Sequence, residues 1–254
     1  MTEIELRSEE VFRRFRRVML ASRRDVLAKI ASMPEAASAE RKRWLYRSIE
    51  DIDGMLKGSG YSNAAGKWVI RTPGLADRIA AELPAKRLYG EAAGKSAGQF
   101  GVAMPLTNPQ ILKFAAEYEF PWLQNAKNLA DDVRNRVEQA IRLGVAQGES
   151  VSQVAKRIAG AGLRRGAYDT VMQRARTMAR TETAVIINEG TLGGYRVVEV
   201  EQVICVGRTT KCAICGALLG RVFDIDKAPR LPAHPCCVHG WAAYSRRGVK
   251  VYPG

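Results

Sequence analysis

Long apolar runs are missing from this sequence of 254 residues. No stretch approaches the roughly 18 consecutive apolar residues of a membrane-spanning helix. Residues 1–17 are first acidic and then strongly basic, without the apolar region of a secretory signal peptide. We therefore expect a soluble protein with no membrane partner, which stays in the compartment where it is made.

Cysteine and histidine are scarce and unevenly placed. The chain has five cysteines and two histidines, and all five cysteines lie between Cys205 and Cys237. Disulfides among them would leave the rest of the chain unlinked, so a reduced compartment with a metal site fits better than a disulfide framework. With 46% hydrophobic and 26% charged residues, the composition is that of a folded globular protein.

Negative charge is in deficit. The chain has 40 Lys and Arg against 26 Asp and Glu, a net charge of +14. Four consecutive windows of the chain all carry an excess, which is largest over 121–180, with 11 basic and 5 acidic residues. This balance predicts a polyanionic partner, such as nucleic acid, an anionic membrane surface or an acidic protein. Its distribution favours a generally basic surface over a detachable basic tail.

Residues 8–33 have the pattern of an amphipathic helix that begins with Ser8 as its cap. Its apolar face consists of Phe12, Phe15, Met19, Val26 and Ile30. The remaining surface carries six arginines, namely Arg13, Arg14, Arg16, Arg17, Arg23 and Arg24. We predict that these arginines contact nucleic acid or an acidic partner, and a solvated helix face is the alternative.

Helices and glycine-rich connections alternate in the next part. We expect a helix over 40–56 and a loop over 58–68. We interpret 73–122 as an irregular connection with short helices at 74–83 and 109–118. Within it, the glycine and alanine content of the segment GEAAGKSAGQFG (90–101) predicts a stretch that is too small and flexible for a core.

Helical periodicity is clearest from 125 to 192. A helix over 125–147 should end at Gly148, and Ser150 with Gln153 has the capping-box spacing of a following short helix. A third helix over 168–192 should stop at the pair Gly193 and Gly194.

The residues after Gly194 are richer in β-branched side chains. We expect strands over 195–207, 221–225 and 249–253. The predicted fold class is therefore α+β, a mainly helical body with a small C-terminal β-rich module that resembles a zinc knuckle. The predicted regions are an N-terminal helical or irregular part (1–104), a helical core (105–194) and the β-rich Cys/His module (195–254).

Four side chains in this module have the spacing of a zinc site. Cys212 and Cys215 form a C-x-x-C pair, and His234 and Cys237 form an H-x-x-C pair. Three sulfurs and one nitrogen suit tetrahedral zinc. The segment HPCCVH (234–239) also supplies two alternative ligands, Cys236 and His239. Spacing leaves open which pair coordinates the metal.

The other chemistry-bearing residues of the module suggest no active site. Cys205 has the setting of a buried apolar residue in a strand. Asp224 and Asp226 lie between the two ligand pairs, where a metal-dependent nuclease would need a carboxylate beside an open coordination position. With four or more sulfur and nitrogen ligands the site should be closed and structural, so we predict no catalytic residues.

Three segments together resemble the phage head morphogenesis family, the Mu F-like minor head proteins of tailed bacteriophages. They are RARTMARTETAVIINEG (174–190), KCAICGALLGRVF (211–223) and LPAHPCCVH (231–239). The resemblance covers about 105–240. The family's pattern of C-x-x-C followed by P-x-H-P-x-C matches Cys212, Cys215, Pro232, His234 and Cys237. For this reason the resemblance favours His234 and Cys237 as the second ligand pair.

The sequence also departs from the family pattern. His239 stands at the position of the family's last cysteine, Cys236 replaces a residue that is commonly polar, and Arg208 stands where an acid is frequent. The motif A-R-T-E-T contributes Arg180, Thr181 and Glu182. We expect Arg180 and Glu182 to hold different neighbouring segments in a structural role, because residues two apart on a helix cannot face each other.

The resemblance implies a structural virion protein at the portal vertex, made in the host bacterial cytoplasm and present in multiple copies per particle. Its implied partners are portal and capsid proteins, and phage DNA through non-specific electrostatics. Residues 1–104 match no family and are a candidate portal or capsid contact. The alternatives are a zinc-stabilised DNA-binding regulator or processing factor and a metal-dependent nuclease.

Overall fold

The computed structural model describes residues 2–32, 38–59, 72–118, 122–159, 169–209, 212–237 and 239–245. The fold is α+β, mostly helical with a small antiparallel sheet near the C-terminus, as predicted. The helices are α1 (Glu3–Ala31), α2 (Ser38–Lys57), α3 (Leu75–Ala81), α4 (Ala85–Gly98), α5 (Pro109–Glu117), α6 (Trp122–Ala146), α7 (Val151–Ala159), α8 (Asp169–Val197) and α9 (Ala213–Gly216). The strands are β1 (Gly58–Ser59), β2 (Thr72–Pro73), β3 (Gln202–Val206), β4 (Val222–Asp224) and β5 (Gly240–Tyr244).

The chain forms two compact units, each assembled from separate segments. Unit 1 comprises Met1–Phe12, Leu83–Phe120 and Arg176–Gly254, and unit 2 comprises Arg13–Glu82 and Pro121–Ala175. The three regions predicted from the sequence follow one another along the chain, whereas these units interleave. In the described parts of the chain, no helix combines the length and apolar character that crossing a membrane requires.

Unit 2 is a helical assembly in which α6 packs against α2, α3 and α7. The apolar face predicted for α6 is buried, with Val133 and Ile141 fully inaccessible. The α1 residues Phe15, Met19 and Val26 are also fully buried, which confirms the predicted face of that helix. A short antiparallel ladder pairs β1, at the first two residues of the predicted 58–68 loop, with β2, which begins four residues after that loop. Residues 60–71 lie outside the described part.

The start of α1 was predicted wrongly. The helix begins at Glu3, five residues before the predicted Ser8 cap. Thr2 and Glu5 form a capping box, in which the Glu5 N–H donates to the Thr2 hydroxyl at 3.2 Å and the Thr2 N–H donates to the Glu5 carboxylate at 2.7 Å. Ser8 lies inside the helix and donates to the Glu5 carbonyl at 3.0 Å. Met33 lies outside the described residues.

The capping box predicted for α7 is confirmed. The Gln153 N–H donates to the Ser150 hydroxyl at 3.3 Å, and the Ser150 N–H donates to the Gln153 side chain at 2.6 Å. Gly148, which ends the preceding helical segment, has a φ of 67° and takes the left-handed conformation that glycine adopts without steric cost.

In unit 1, the sequence prediction was wrong for the small-residue segment 90–101. The segment 90–101, excluded from the core by its small residues, forms most of α4, and Ala92, Ala93 and Ala97 are buried in it. Small side chains let two helix backbones approach closely, and the glycines Gly190, Gly193 and Gly194 of α8 lie against α4 in this way. The small residues therefore form a close helix contact instead of a flexible connection.

The glycine pair of α8 does not end that helix. α8 continues through Gly193 and Gly194 to Val197, and Tyr195, which the sequence suggested as a strand residue, is a buried helical residue. Packing against α4 compensates for the low helix propensity of glycine, because any side chain there would collide with α4. The strand that follows is correspondingly shorter and begins at Gln202.

The C-terminal sheet has the order β4-β3-β5, with both pairs antiparallel. Val203 in the central strand is opposite Phe223 on one side and Ala243 on the other. The core beneath this sheet includes Leu192 and Tyr195 of α8. β5 was not predicted, because its sequence GWAAY lacks the β-branched residues that mark a strand; the predicted strand at 249–253 lies outside the described residues.

We expect Gly194→Ala to destabilise the protein by about 1–3 kcal/mol, because its Cβ would collide with the backbone carbonyl of Ala93. The matched control is Gly54→Ala in α2, where nothing lies within 4 Å of the new Cβ. That change should be neutral or stabilise by up to about 1 kcal/mol. Urea unfolding followed by circular dichroism measures both. Equal stability changes in the two variants would contradict close packing of α8 on α4.

Candidate metal centre

The first ligand segment is a tight turn after β3. Cys212 precedes the short helix α9, and Cys215 lies within it, 2% exposed. The backbone N–H groups of Cys215 and Ile214 hydrogen-bond to the Cys212 sulfur and lower the pKa of its thiol. A lowered pKa favours the thiolate, which is the form that binds metal. The turn thus prepares Cys212 as a ligand.

The second ligand segment closes a turn between His234 and Cys237, whose N–H donates to the His234 carbonyl at 3.1 Å. Cys237 is buried, and His239 two residues later is 3% exposed. The ring of His239 lies against Gly207, where any side chain would collide with it. The close approach of the backbone at Gly207 therefore makes room for the imidazole of His239.

The two ligand segments bring together two groups of three possible metal ligands, and Cys215 belongs to both groups. One group is Cys212, Cys215 and His234, and the other is Cys215, Cys237 and His239; within each, the ligand atoms lie within 4.8 Å of one another. Nε2 of His234 is 3.2 Å from the Cys215 sulfur, and Nδ1 of His239 is 3.2 Å from the Cys237 sulfur. This Cys/His cluster can hold a metal ion.

Backbone carbonyls orient both imidazoles toward the sulfurs. Nδ1 of His234 lies 2.8 Å from the Pro235 carbonyl, and Nε2 of His239 lies 3.1 Å from the Arg208 carbonyl. A carbonyl can only accept, so each of these nitrogens carries the proton and the opposite nitrogen presents its lone pair to the sulfurs. Metal-binding histidines are typically oriented by a hydrogen bond of this kind.

All four ligands predicted from the sequence lie in this cluster. Of the two alternative ligands, His239 is part of it, whereas Cys236 is in neither donor group. Cys236 instead has a left-handed backbone with φ of 63°, and its N–H donates to the hydroxyl of Thr181 at 3.2 Å. Its contribution to the cluster is a backbone contact to α8.

Cys205 and the two aspartates lie outside both donor groups. Cys205 is 1% exposed in β3, which confirms its predicted burial, and burial first, then the nearby Cys237 and Cys215, raise the pKa of its thiol to about 11. It therefore keeps its proton at neutral pH. Asp224 pairs with Lys227 at 3.1 Å and Asp226 with Arg196 at 3.2 Å.

The A-R-T-E-T motif of α8 connects three other segments of unit 1. Arg180 pairs with Glu5 of α1 at 3.1 Å, and Thr181 accepts the hydrogen bond from Cys236. Glu182 is 2% exposed and accepts from the Tyr118 hydroxyl at 2.6 Å. Arg180 and Glu182 thus hold different neighbouring segments.

Three contributors to this site were not identified from the sequence. Asn188 donates to the His239 carbonyl at 3.2 Å, Glu5 also pairs with Arg208 at 3.6 Å, and Tyr118 binds Glu182. Only Asn188 carried a usable signal, since it lies seven residues after Thr181 and so shares its helix face. Glu5 and Tyr118 meet their partners across long stretches of sequence, which spacing does not reveal.

The six predicted contact arginines of α1 differ in exposure. Arg13, Arg16, Arg17 and Arg24 are exposed, whereas Arg14 and Arg23 are half-buried. Arg23 donates to the carbonyl of Ala159 at 2.6 Å, so its guanidinium has a structural role in unit 2. Exposure therefore divides the six into surface residues and packing residues.

Comparisons with family models, with curated proteins and with solved structures found no match to this chain.

We expect Cys215→Ser to remove most of the bound metal, because Cys215 is the one donor shared by both groups. Cys236→Ser is the matched control and should retain the wild-type content of about one metal per chain, since its sulfur is in neither group. Elemental mass spectrometry on the purified proteins measures the content. Metal loss in Cys236→Ser, or retention in Cys215→Ser, would contradict this ligand arrangement.

We expect Tyr118→Phe to destabilise the protein by about 1.5–3 kcal/mol, because a buried carboxylate loses a hydrogen-bond donor. Burial first, then the charge of Glu182, raise the pKa of Tyr118 well above its usual range, so the hydroxyl keeps its proton. The control is Tyr244→Phe at the end of β5, which should change stability by less than about 0.5 kcal/mol. Thermal unfolding compares them; similar losses of stability in both would refute a special role for the Tyr118 hydroxyl.

Proposed function

We propose that this chain is a minor structural head protein of a tailed bacteriophage, which acts at the portal vertex in head assembly and in DNA packaging or ejection. One observation carries the proposal. The segments that resemble the head morphogenesis family are distant in sequence, yet Thr181 and Asn188 of the first hydrogen-bond to Cys236 and His239 of the last. The resemblance is thus supported by contacts among its own motifs.

The metal of this proposal is zinc in a structural role. Three thiolates and an imidazole are the donors that tetrahedral zinc prefers, and Cys212, Cys215 and Cys237 supply the sulfurs. His234 is the fourth ligand favoured by the resemblance, and His239 is the alternative; both rings are oriented by a backbone carbonyl. A site filled by four protein ligands has no open position for a substrate.

Zinc in this site would join two segments of unit 1 that have little secondary structure of their own. The turn at Cys212–Cys215 and the loop at His234–His239 flank a sheet of three short strands. Small modules of this kind draw much of their folding free energy from the metal. The loop also contacts α8 through Thr181 and Asn188, so the metal would fix the position of α8 relative to the sheet within this unit.

The partners in this proposal are portal and capsid proteins, with multiple copies of the chain in each virion. Phage DNA is the third partner, contacted through its phosphates without sequence preference. The net charge of +14 supports this contact, because basic side chains that neutralise phosphates release counterions. An enzymatic role gains no support from the aspartates of the module, since Asp224 and Asp226 are both engaged by basic side chains.

The test is incorporation into particles. The chain is co-expressed with the portal and capsid proteins of the phage that encodes it, and purified particles are analysed by quantitative mass spectrometry. We expect several copies per particle for the wild type and for Cys236→Ser, and far fewer for Cys215→Ser, whose metal site is disrupted. The three proteins differ by at most one sulfur atom, so charge and size do not explain a difference.

Three outcomes would refute the proposal. Absence of the wild type from particles, while it remains folded in the lysate, would exclude the head role. Strong preference of the purified chain for one DNA sequence would support the regulator class instead. DNA cleavage that is lost on chelation and in Asp224→Asn would identify a nuclease.

A further inference from the structure

The positive charge of the chain is concentrated in one of the two compact units. Unit 2 contains 24 Lys and Arg against 13 Asp and Glu, whereas unit 1 contains 16 against 13. Unit 2 therefore carries +11 of the net +14, although the two units are almost equal in length. Windows along the sequence conceal this difference because each unit is assembled from separate segments.

Within unit 2, the outward face of α1 has the strongest excess of positive charge. From Arg13 to Ala31 the helix contains six arginines and one lysine but a single acid, Asp25. Asp25 pairs with Arg78 of α3 at 3.6 Å, and Lys29 pairs with Asp51 of α2 at 2.6 Å. The one local acid is thus directed to another helix and does not neutralise the arginines.

Basic residues also engage several other described acids of unit 2. Asp53 binds Lys57 and Arg134, and further pairs join Asp132 with Arg174, Glu138 with Arg142 and Glu149 with Arg157. Among the residues that the structure describes, Arg16, Arg17 and Arg24 have neither an ion pair nor a hydrogen bond from their side chains, and all three are exposed. We call these three residues the arginine face.

Helix geometry places this face opposite the core. Arg17 and Arg24 are seven residues apart, so they point in nearly the same direction and are separated by about 10 Å along the axis. Met19 and Val26, each two residues further on, are fully buried and point to the opposite side. Burial of the apolar face therefore holds the arginine face in solvent.

We infer that the arginine face binds the phosphate backbone of duplex DNA, which makes unit 2 a DNA-contacting part of the protein. The inference rests on the proposed function for its partner, since phage DNA is the polyanion that a head protein meets. Guanidinium groups suit it because they bind phosphate oxygens in a bidentate manner.

The surface chemistry favours duplex DNA over other polyanions. Among the described side chains of unit 2, Leu143 of α6 is the only large hydrophobic one that is exposed. The described side chains of unit 2 thus include no exposed aromatic ring on which the bases of a single strand could stack. Apart from Leu143, the described surface of unit 2 also lacks the apolar or aromatic anchors that carry most of the energy in protein interfaces.

The experiment measures binding of the full-length chain to a labelled duplex of about 30 base pairs by fluorescence anisotropy, at several salt concentrations. The test variant combines Arg16→Gln, Arg17→Gln and Arg24→Gln. The control removes three exposed positive charges from unit 1, through Lys86→Gln, Lys113→Gln and Lys227→Gln. Circular dichroism and metal content verify that both variants fold.

We expect the test variant to bind at least about tenfold more weakly at 100 mM salt. The slope of log K against the logarithm of the salt concentration should be smaller in magnitude by about two to three. The control should stay within about twofold of the wild type, and a scrambled duplex should bind equally. A single strand of the same length and polyglutamate should both compete poorly with the duplex.

Equal losses in the two variants, or no loss in the test variant, would overturn the inference, because net charge or another surface would then explain binding. Stronger binding of polyglutamate than of DNA would instead indicate an acidic protein partner. This test and the test of the head role can fail separately. Entry into particles without binding of duplex DNA would refute only this inference. Binding of DNA without entry into particles would refute the head role.

Discussion

The close contact between α8 and α4 is the constraint on which the rest of unit 1 depends. At three positions of α8, glycine leaves no side chain between the two helices. The helices therefore approach to a distance that no larger residue would allow. The same stretch of α8 supplies Leu192 and Tyr195 to the core beneath the sheet. The Cys/His segments adjoin the strands of this sheet in sequence, so the position of the cluster is set in part by a helix contact that includes none of the ligands.

Buried polar groups on α8 add specificity to this packing. Glu182 and Asn188 are each 2% exposed, and a buried polar group is costly unless it has a partner. Glu182 is satisfied by Tyr118 and Asn188 by the carbonyls of Ala184 and His239. Apolar packing alone would tolerate small shifts of α8, whereas these hydrogen bonds fix one register between the helix and the cluster loop.

Sequence reasoning succeeded where the signal was local and failed where the partner was distant. The apolar face of α1, the capping box at Ser150 and the pairs Cys212 with Cys215 and His234 with Cys237 depend on spacings of a few residues. The role of the glycines in α8 depends on α4, almost a hundred residues earlier, and without that partner glycine normally indicates a helix end. β5 was missed for the same reason, since its strand conformation comes from pairing with β3 and not from its own residues.

The interleaved units have a consequence for biosynthesis. Glu5 meets Arg180 and Glu9 meets Arg176, contacts between residues that are 175 and 167 positions apart. At a synthesis rate of roughly 5–20 residues per second, the first turns of α1 emerge from the ribosome some ten to thirty seconds before their partners. Unit 2, which ends at Ala175, is complete by then. Folding of the nascent chain should therefore be ordered in time, with unit 2 formed first and unit 1 assembled once α8 has been synthesised.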